Sequence, residues 1–245
     1  MSAPIFDDHL RQLRRARAER RGGERFLHAR AFDDCLDRLV DIRREFSNAL
    51  IVGTANDGWI ETLSAALPGA TVDVVPADQL LKLEPGSFDL CLSIGELETD
   101  NDLAAAALAL RCLLVPGELL LGAIAGGNSL PRLRGAMLAA DRLAGGAASH
   151  VHPSIDGPSL SALLTSAGFT DPVVDVDRVD VSYPGLDRLV ADLRNMGCTN
   201  VLAQRSRQSL SKKQRDIARS TFLAGGERAI ERFELHHFTA WAPTS

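Results

Sequence analysis

Apolar residues along this chain recur at two periods, and the switching between those periods outlines the fold. From 26 to 42, Phe26, Leu27, Phe32, Leu36, Leu39 and Val40 fall at helical spacing with charges between them, which predicts an amphipathic helix. A short continuous apolar run over 48–52 then reads as a buried strand. It breaks into small and polar residues before a helix over 60–67 that stops at Pro68-Gly69. Runs at 71–75 and 88–94 predict two further strands, the second entered through the turn Pro85-Gly86-Ser87. An Ala/Leu-rich helix is expected over 103–114, a sharp stop at Val115-Pro116-Gly117, and a strand over 119–124. Ser129 is expected to cap a helix reaching about Leu143, and Ser159 one ending at Ala167-Gly168. A strand over 173–183, helices over 186–196 and 211–224, and a closing strand over 233–241 complete the series. Strands alternating with helices imply an α/β fold on a largely parallel sheet.

Composition narrows the class. At 245 residues, 45% hydrophobic and 24% charged, the chain can bury a full core, and no apolar stretch approaches the roughly 20 residues of a membrane span. One domain over 1–245 is expected, with a basic helical segment at 1–47, a cofactor-binding half at 48–125 and a substrate or partner half at 126–245. Cys35, Cys91, Cys112 and Cys198 form no CxxC pair, which fits reduced thiols in a cytoplasmic protein rather than a metal site. His150/His152 and His236/His237 are short local pairs with no convergent acidic or cysteine partner in the sequence, as expected of surface or core histidines. The strongest local bias lies between His9 and Arg30, where eight arginines face only Glu19 and Glu24, in a chain of net charge −5. Such a segment suits an acidic ligand or a protein partner, or is a solvated helix face. The nearby Asp7 and Asp8 argue against a mitochondrial address. No nucleic-acid signature is evident.

Three stretches together resemble the class I S-adenosylmethionine-dependent methyltransferases: strand-loop-helix at 48–67, the Gly86-Ser87-Phe88-Asp89-Leu90 turn into a strand, and Arg111-Cys112-Leu113-Leu114-Val115-Pro116-Gly117-Glu118. More narrowly, Asp175-Val176-Asp177-Arg178-Val179, the run from Asp192-Leu193-Arg194 through Met196-Gly197-Cys198-Thr199-Asn200, and the ending Thr239-Ala240-Trp241-Ala242-Pro243 are similar to one branch. It contains the malonyl-carrier-protein methyltransferase of biotin synthesis and the methyltransferase-like assembly factor of respiratory complex I. The resemblance implies a Rossmann-like sheet of seven strands with flanking helices, the last strand antiparallel, and a ligand over the carboxyl ends of the strands. It also implies S-adenosylmethionine as cofactor, near Gly53, Thr54, Asn56, Asp57, Gly58, Asp73, Asp78, Gln79, Ile94 and Gly95.

The chain departs from that pattern in two places. With Gly53 as the first glycine of the loop, Ile51 stands where the family has an acid, Ala55 at the second glycine and Asp57 at the third. The first change removes an anchor for the methionine ammonium, the second adds a methyl where backbone meets ligand, and the third brings negative charge to the cofactor carboxylate. Asn56-Asp57-Gly58 is still expected to make a tight turn. The 69–87 segment is also too short for the strands and helix that the family places there, so one strand and one helix are expected to be missing or reduced. Asp73 is a candidate for the ribose acid, although it lies inside the strand-like run, and Asp78 with Gln79 resembles the adenine-side position. Ser93-Ile94-Gly95-Glu96-Leu97 occupies the place beside the transferring methyl, and Arg132, Arg134 and Arg194 are candidates to hold an acidic substrate.

Two functions follow. One is a methyltransferase-like protein with a degenerate cofactor site, weak or inactive as an enzyme and serving as a binding or assembly factor. The alternative is an active methyltransferase acting on a carboxylate or protein substrate. Arginine hydroxylation, known in the assembly-factor relatives, has no residue here that identifies it.

Overall fold

A computed structural model describes residues 3–53, 57–143, 145–146 and 148–244. The chain divides into two compact units that are discontinuous in sequence: a sheet unit of 27–126, 155–177 and 235–245, and a helical unit of 1–26, 127–154 and 178–234.

The sheet unit carries six strands: β1 (Asn48–Gly53), β2 (Thr71–Val75), β3 (Phe88–Ile94), β4 (Leu114–Ala125), β5 (Thr170–Tyr183) and β6 (Ala229–Trp241). The last two run on into the helical unit. The order is β2-β1-β3-β4-β6-β5. β1 is parallel to β2 and β3, β3 is parallel to β4, and β6 is antiparallel to β4. This is the expected Rossmann-like sheet with six strands instead of seven, the shortfall lying where the 69–87 segment is short. A single 3-10 helix, Ala77–Lys82, is all that follows β2 before β3.

Alternation along the central strands divides their side chains between two cores. Leu50, Val52, Cys91, Leu120 and Ile124 face one side, packed with α4 (Leu103–Leu113) and α6 (Gly157–Ser166). Ala49, Ile51, Leu90, Leu92, Leu119 and Leu121 face the other, packed with α2 (Phe26–Ile42) and α3 (Asp57–Ala66). Near-continuous apolar strands are the signature of a sheet covered on both faces. Asp89 joins two of its strands, its carboxylate accepting the amides of Ser47 (2.7 Å) and Asn48 (2.9 Å) at the entry to β1.

The helical unit contains α1 (Asp8–Arg21), α5 (Pro131–Arg142), α7 (Leu186–Asn195) and α8 (Lys212–Leu223). Asp7 caps α1, its Oδ1 accepting from the Leu10 amide at 2.9 Å. Ser211 and Gln214 form a capping box on α8. Among the described residues no helix is long and apolar enough to cross a membrane.

Several local expectations need correction. Ser129 does not cap α5: Leu130 occupies that position with φ 62°, and the Ser129 hydroxyl exchanges hydrogen bonds with the Glu234 backbone. The amides of Arg132 and Leu133 go to the buried Glu231 carboxylate instead, at 3.1 and 2.8 Å. Asp156, not Ser159, caps α6, accepting from the Ser159 amide at 2.7 Å. The helix does end ahead of Val115-Pro116-Gly117, at Leu113, but the strand expected from Leu119 begins already at Leu114 and runs through that segment. Asp57 and Gly58 open α3 rather than forming a tight turn, while Asn56 lies outside the described residues.

Candidate functional site

In a sheet of this order the strand order switches between β1 and β3, and folds of this kind take their ligand in the crevice beyond the carboxyl ends of those strands. Gly53 and Ile94 are register partners there. Gly53 has φ 134°, which strongly favours glycine, and a Cβ added to it would meet Ile94 O at 2.6 Å and Glu96 Cγ at 2.9 Å. Glu96 is 2% exposed. From the loop after β3 it passes Gly53, and its Oε2 lies 3.4 Å from the Ala77 amide just beyond β2. One side chain thus spans the ends of three strands.

Two neighbouring clefts repeat this arrangement. A Cβ on Gly95 (φ 68°) would fall 2.3 Å from His28 Nε2, and one on Gly126 would fall 2.4 Å from His236 Nε2. Glycines at the ends of β1, β3 and β4 therefore leave hollows, and Glu96, His28 and His236 of the same chain fill them. Glycine at this end of a sheet is commonly where backbone approaches a ligand; in this unit it is where backbone meets a polar side chain.

Of the expected site residues, Gly53, Ile94 and Gly95 meet at this crevice, with Ile94 buried in the core beside Ile51. Asp73 pairs with Leu50 in the middle of β2 and is exposed, two residues short of the strand's end. Asp78 and Gln79 sit in the 3-10 turn beyond it, both exposed. Gly58 is in the first turn of α3. Thr54 and Asn56 lie outside the described residues, as does the Asp57 side chain. Trp59 is 9% exposed and stacks on Phe32 at 4.8 Å between ring centroids, so it belongs to the core. Glu96 entered the sequence reading only as part of a loop; no spacing pattern marked its carboxylate.

Beside the crevice lies a cluster of ionisable groups on α2, β5 and β6. Arg38 binds Asp34 (2.6 Å) and Asp175 (2.9 Å), and Arg30 makes a bidentate contact with Asp177. His237, 2% exposed, has Nδ1 2.8 Å from Asp34 Oδ2. Burial pushes this imidazole below its ordinary range and Asp34 opposes the shift. Histidines for which the sequence offered no convergent acid acquire one in the fold: His150 Nε2 is likewise 3.0 Å from Asp141 in the helical unit.

The branch-specific motifs explain themselves as architecture. Trp241-Ala242 clasps Gly117-Glu118, with the Gly117 amide donating to Ala242 O (3.0 Å), the Ala242 amide to Glu118 O (2.8 Å), and Arg44 lying 5.3 Å from the Trp241 ring centroid. In the helical unit, Asn200 donates to Ser149 O and accepts from the Leu202 amide. Gly197 (φ 74°) lets the chain turn after α7 close against Arg15 and Ala18 of α1. Arg132 and Arg134 are spent on backbone carbonyls, of Phe222 and of Ser129 and His152 respectively. Arg194 has no ion pair among the described residues.

No protein-family model matches the chain. It is 28% identical to the mouse (Mus musculus) protein "Arginine-hydroxylase NDUFAF5, mitochondrial", over 97% of this chain and 77% of that one. It is 32% identical to "Malonyl-[acyl-carrier protein] O-methyltransferase" of Xylella fastidiosa, over 67% of this chain and 55% of that one. The chain spans 58% of the Danio rerio protein bearing the first of these names and 54% of its human counterpart. Among solved structures, a putative methyltransferase of Bacillus halodurans superposes with a TM-score of 0.50 at 11% identity, over 85% of this chain and 99% of that one, a likeness of fold. With relatives of both kinds and the sheet order in agreement, the chain belongs to the class I S-adenosylmethionine-dependent methyltransferase superfamily.

Proposed function

We propose that this protein keeps the methyltransferase fold as a binding module, with its cofactor crevice closed by its own Glu96, and that its partner meets the basic N-terminal helix α1. The observation that carries the proposal is Glu96 itself: a carboxylate 2% exposed, lying against Gly53 and reaching Ala77. S-adenosylmethionine is the cofactor named for the superfamily, and the described residues do not fit it. Its methionine and ribose would have to enter over Gly53, where Glu96 lies, and Ile51, in the family's acid position, points into the apolar core. Asp73 is set back in mid-strand, and β2 itself ends on Val75 with no carboxylate of its own for the ribose. Loss of two charge-assisted contacts of about 2 kcal/mol each weakens a micromolar ligand roughly a thousand-fold.

A thermal-shift measurement with 1 mM S-adenosylhomocysteine tests this. A ligand with a dissociation constant of about 10 μM would stabilise the fold by about 2.7 kcal/mol at that concentration, a shift of several degrees. The expected shift is below about 1 °C, and a rise of several degrees contradicts the proposal.

A second reading has one specific observation in its favour. Glu96 brings a carboxylate to the crevice where Ile51 brings none, and in an active enzyme it would stand in for the missing acid. The two readings predict opposite consequences of removing it.

A further inference from the structure

The helical unit contains a group of arginines of which three have no carboxylate partner among the described residues. Arg14 and Arg17 lie three residues apart on α1, and Arg194 is in the last turn of α7. The helices are brought together at Gly197, where an added Cβ would lie 3.5 Å from Arg15 Cα and 3.6 Å from Ala18 Cβ. Arg205 joins from the following loop, bound to Asp7 at 3.1 Å. Among the described residues Arg14, Arg17 and Arg194 have no ion pair or hydrogen bond through their side chains, and Arg14 Nε is shut off from solvent without an acceptor. The guanidinium of Arg14 is held below its ordinary range, first by burial and then by Arg17, Arg205 and Arg194, with no carboxylate among the causes. Arg17 and Arg194 are exposed, so the group is open to a ligand.

Like charges gathered around a half-buried, unsatisfied donor cost the fold stability unless an anion offsets them. The surrounding unit deepens the imbalance: its 111 residues hold 21 Lys and Arg against 12 Asp and Glu, a net +9. A single carboxylate balances one of three unpaired guanidinium groups. A phosphoryl dianion carries about two charges and three acceptor oxygens, and matches guanidinium forks from two helices at once. We infer that Arg14, Arg17 and Arg194, with Arg205 beside them, form a binding site for a phosphoryl group between α1 and α7. This rests on the proposal that α1 is a binding surface, and not on the closure of the crevice by Glu96.

The test is a titration of the full chain with inorganic phosphate at constant ionic strength, set by sodium chloride. Arginine Nε–Hε signals and the amides of Ala18 and Gly197 are followed by NMR. The expected result is saturable shifts at these positions, with affinity reduced at least ten-fold in Arg14→Gln/Arg194→Gln and in the milder Arg17→Gln/Arg194→Gln, while Arg215→Gln on α8 binds as the parent does. A parallel titration with hexaglutamate separates the phosphoryl group from a run of carboxylates, and binding at least ten-fold weaker than phosphate is expected. Non-saturating shifts, equal binding by the double variants, or tighter binding of hexaglutamate would overturn the assignment. Cofactor binding in the sheet unit leaves these readouts unmoved, so failure here and failure of the Glu96 proposal are separable.

Discussion

The two units are of similar length and opposite charge. The sheet unit has 134 residues with 6 Lys and Arg against 20 Asp and Glu, a net −14, and the helical unit has a net +9. Their sum is the −5 of the whole chain. The units also differ in how charge is handled. In the sheet unit Arg30, Arg38 and Arg44 each find a carboxylate, and hollows at the strand ends are filled by Glu96, His28 and His236. In the helical unit Arg14, Arg17 and Arg194 lie close enough to repel one another and have no partner among the described residues. At the inherited ligand crevice the strand-end hollows are filled and the nearby arginines are paired, whereas the guanidinium groups without a carboxylate lie in the other unit. Family resemblance points to the first; unpaired positive charge points to the second.

The units also hold themselves together differently, which substitutions can expose. The sheet unit rests on two apolar cores, so Trp59→Ala, which removes the ring stacked on Phe32, is expected to cost about 4 kcal/mol in urea unfolding. The helical unit leans on buried polar anchors. His152 Nε2 accepts from the Val201 amide at 2.9 Å, and burial, with Arg134 nearby, pushes its pKa down to about 4. Because the folded value lies below the ordinary one near 6.5, the unfolded chain takes up the proton first. The stabilisation is complete above about pH 6.5 and is lost as pH falls towards 4, by roughly 3 kcal/mol. Hydrogen exchange at the Val201 amide should accelerate over that window, and His152→Gln should flatten the dependence.

Glu231, 0% exposed, accepts the amides of Arg132, Leu133 and Arg232, so Glu231→Ala should destabilise by about 2 kcal/mol by leaving buried donors without an acceptor. The smallest effect carries the opposite sign. Arg14→Gln relieves like-charge repulsion and should stabilise by about 0.5 kcal/mol at low salt, fading at high salt. A destabilisation there would mean that Arg14 has a compensating partner and would blur the contrast between the units.

The sequence made the sheet legible because its central strands are buried on both faces and read as unbroken apolar runs, as at 88–94, while helical spacing marked α2 over 26–42; both pairs of bounds are those observed. The missing strand was readable from length alone, since 69–87 has no room for it. The start of α5 was not readable, because its acceptor comes from far along the chain. Glu231 serves amides about 100 residues earlier, so the serine at the expected position was free to bind Glu234 instead. The same distance hid Asp34 from His237 and Arg194 from Arg14. Glycine loss in the 53–58 loop could be seen in the sequence, but not that a glutamate 43 residues beyond Gly53 would lie across the gap.

The central claim is that Glu96 closes the crevice, and calorimetric titration of the parent chain and Glu96→Ala with S-adenosylmethionine, side by side, tests it most directly. The account predicts no binding to the parent below about millimolar ligand, with affinity at least ten-fold higher in Glu96→Ala, since removing the side chain opens the space over Gly53. Micromolar binding to the parent that weakens in Glu96→Ala would contradict it, and would make Glu96 the acid that holds the cofactor in place of the one missing at position 51.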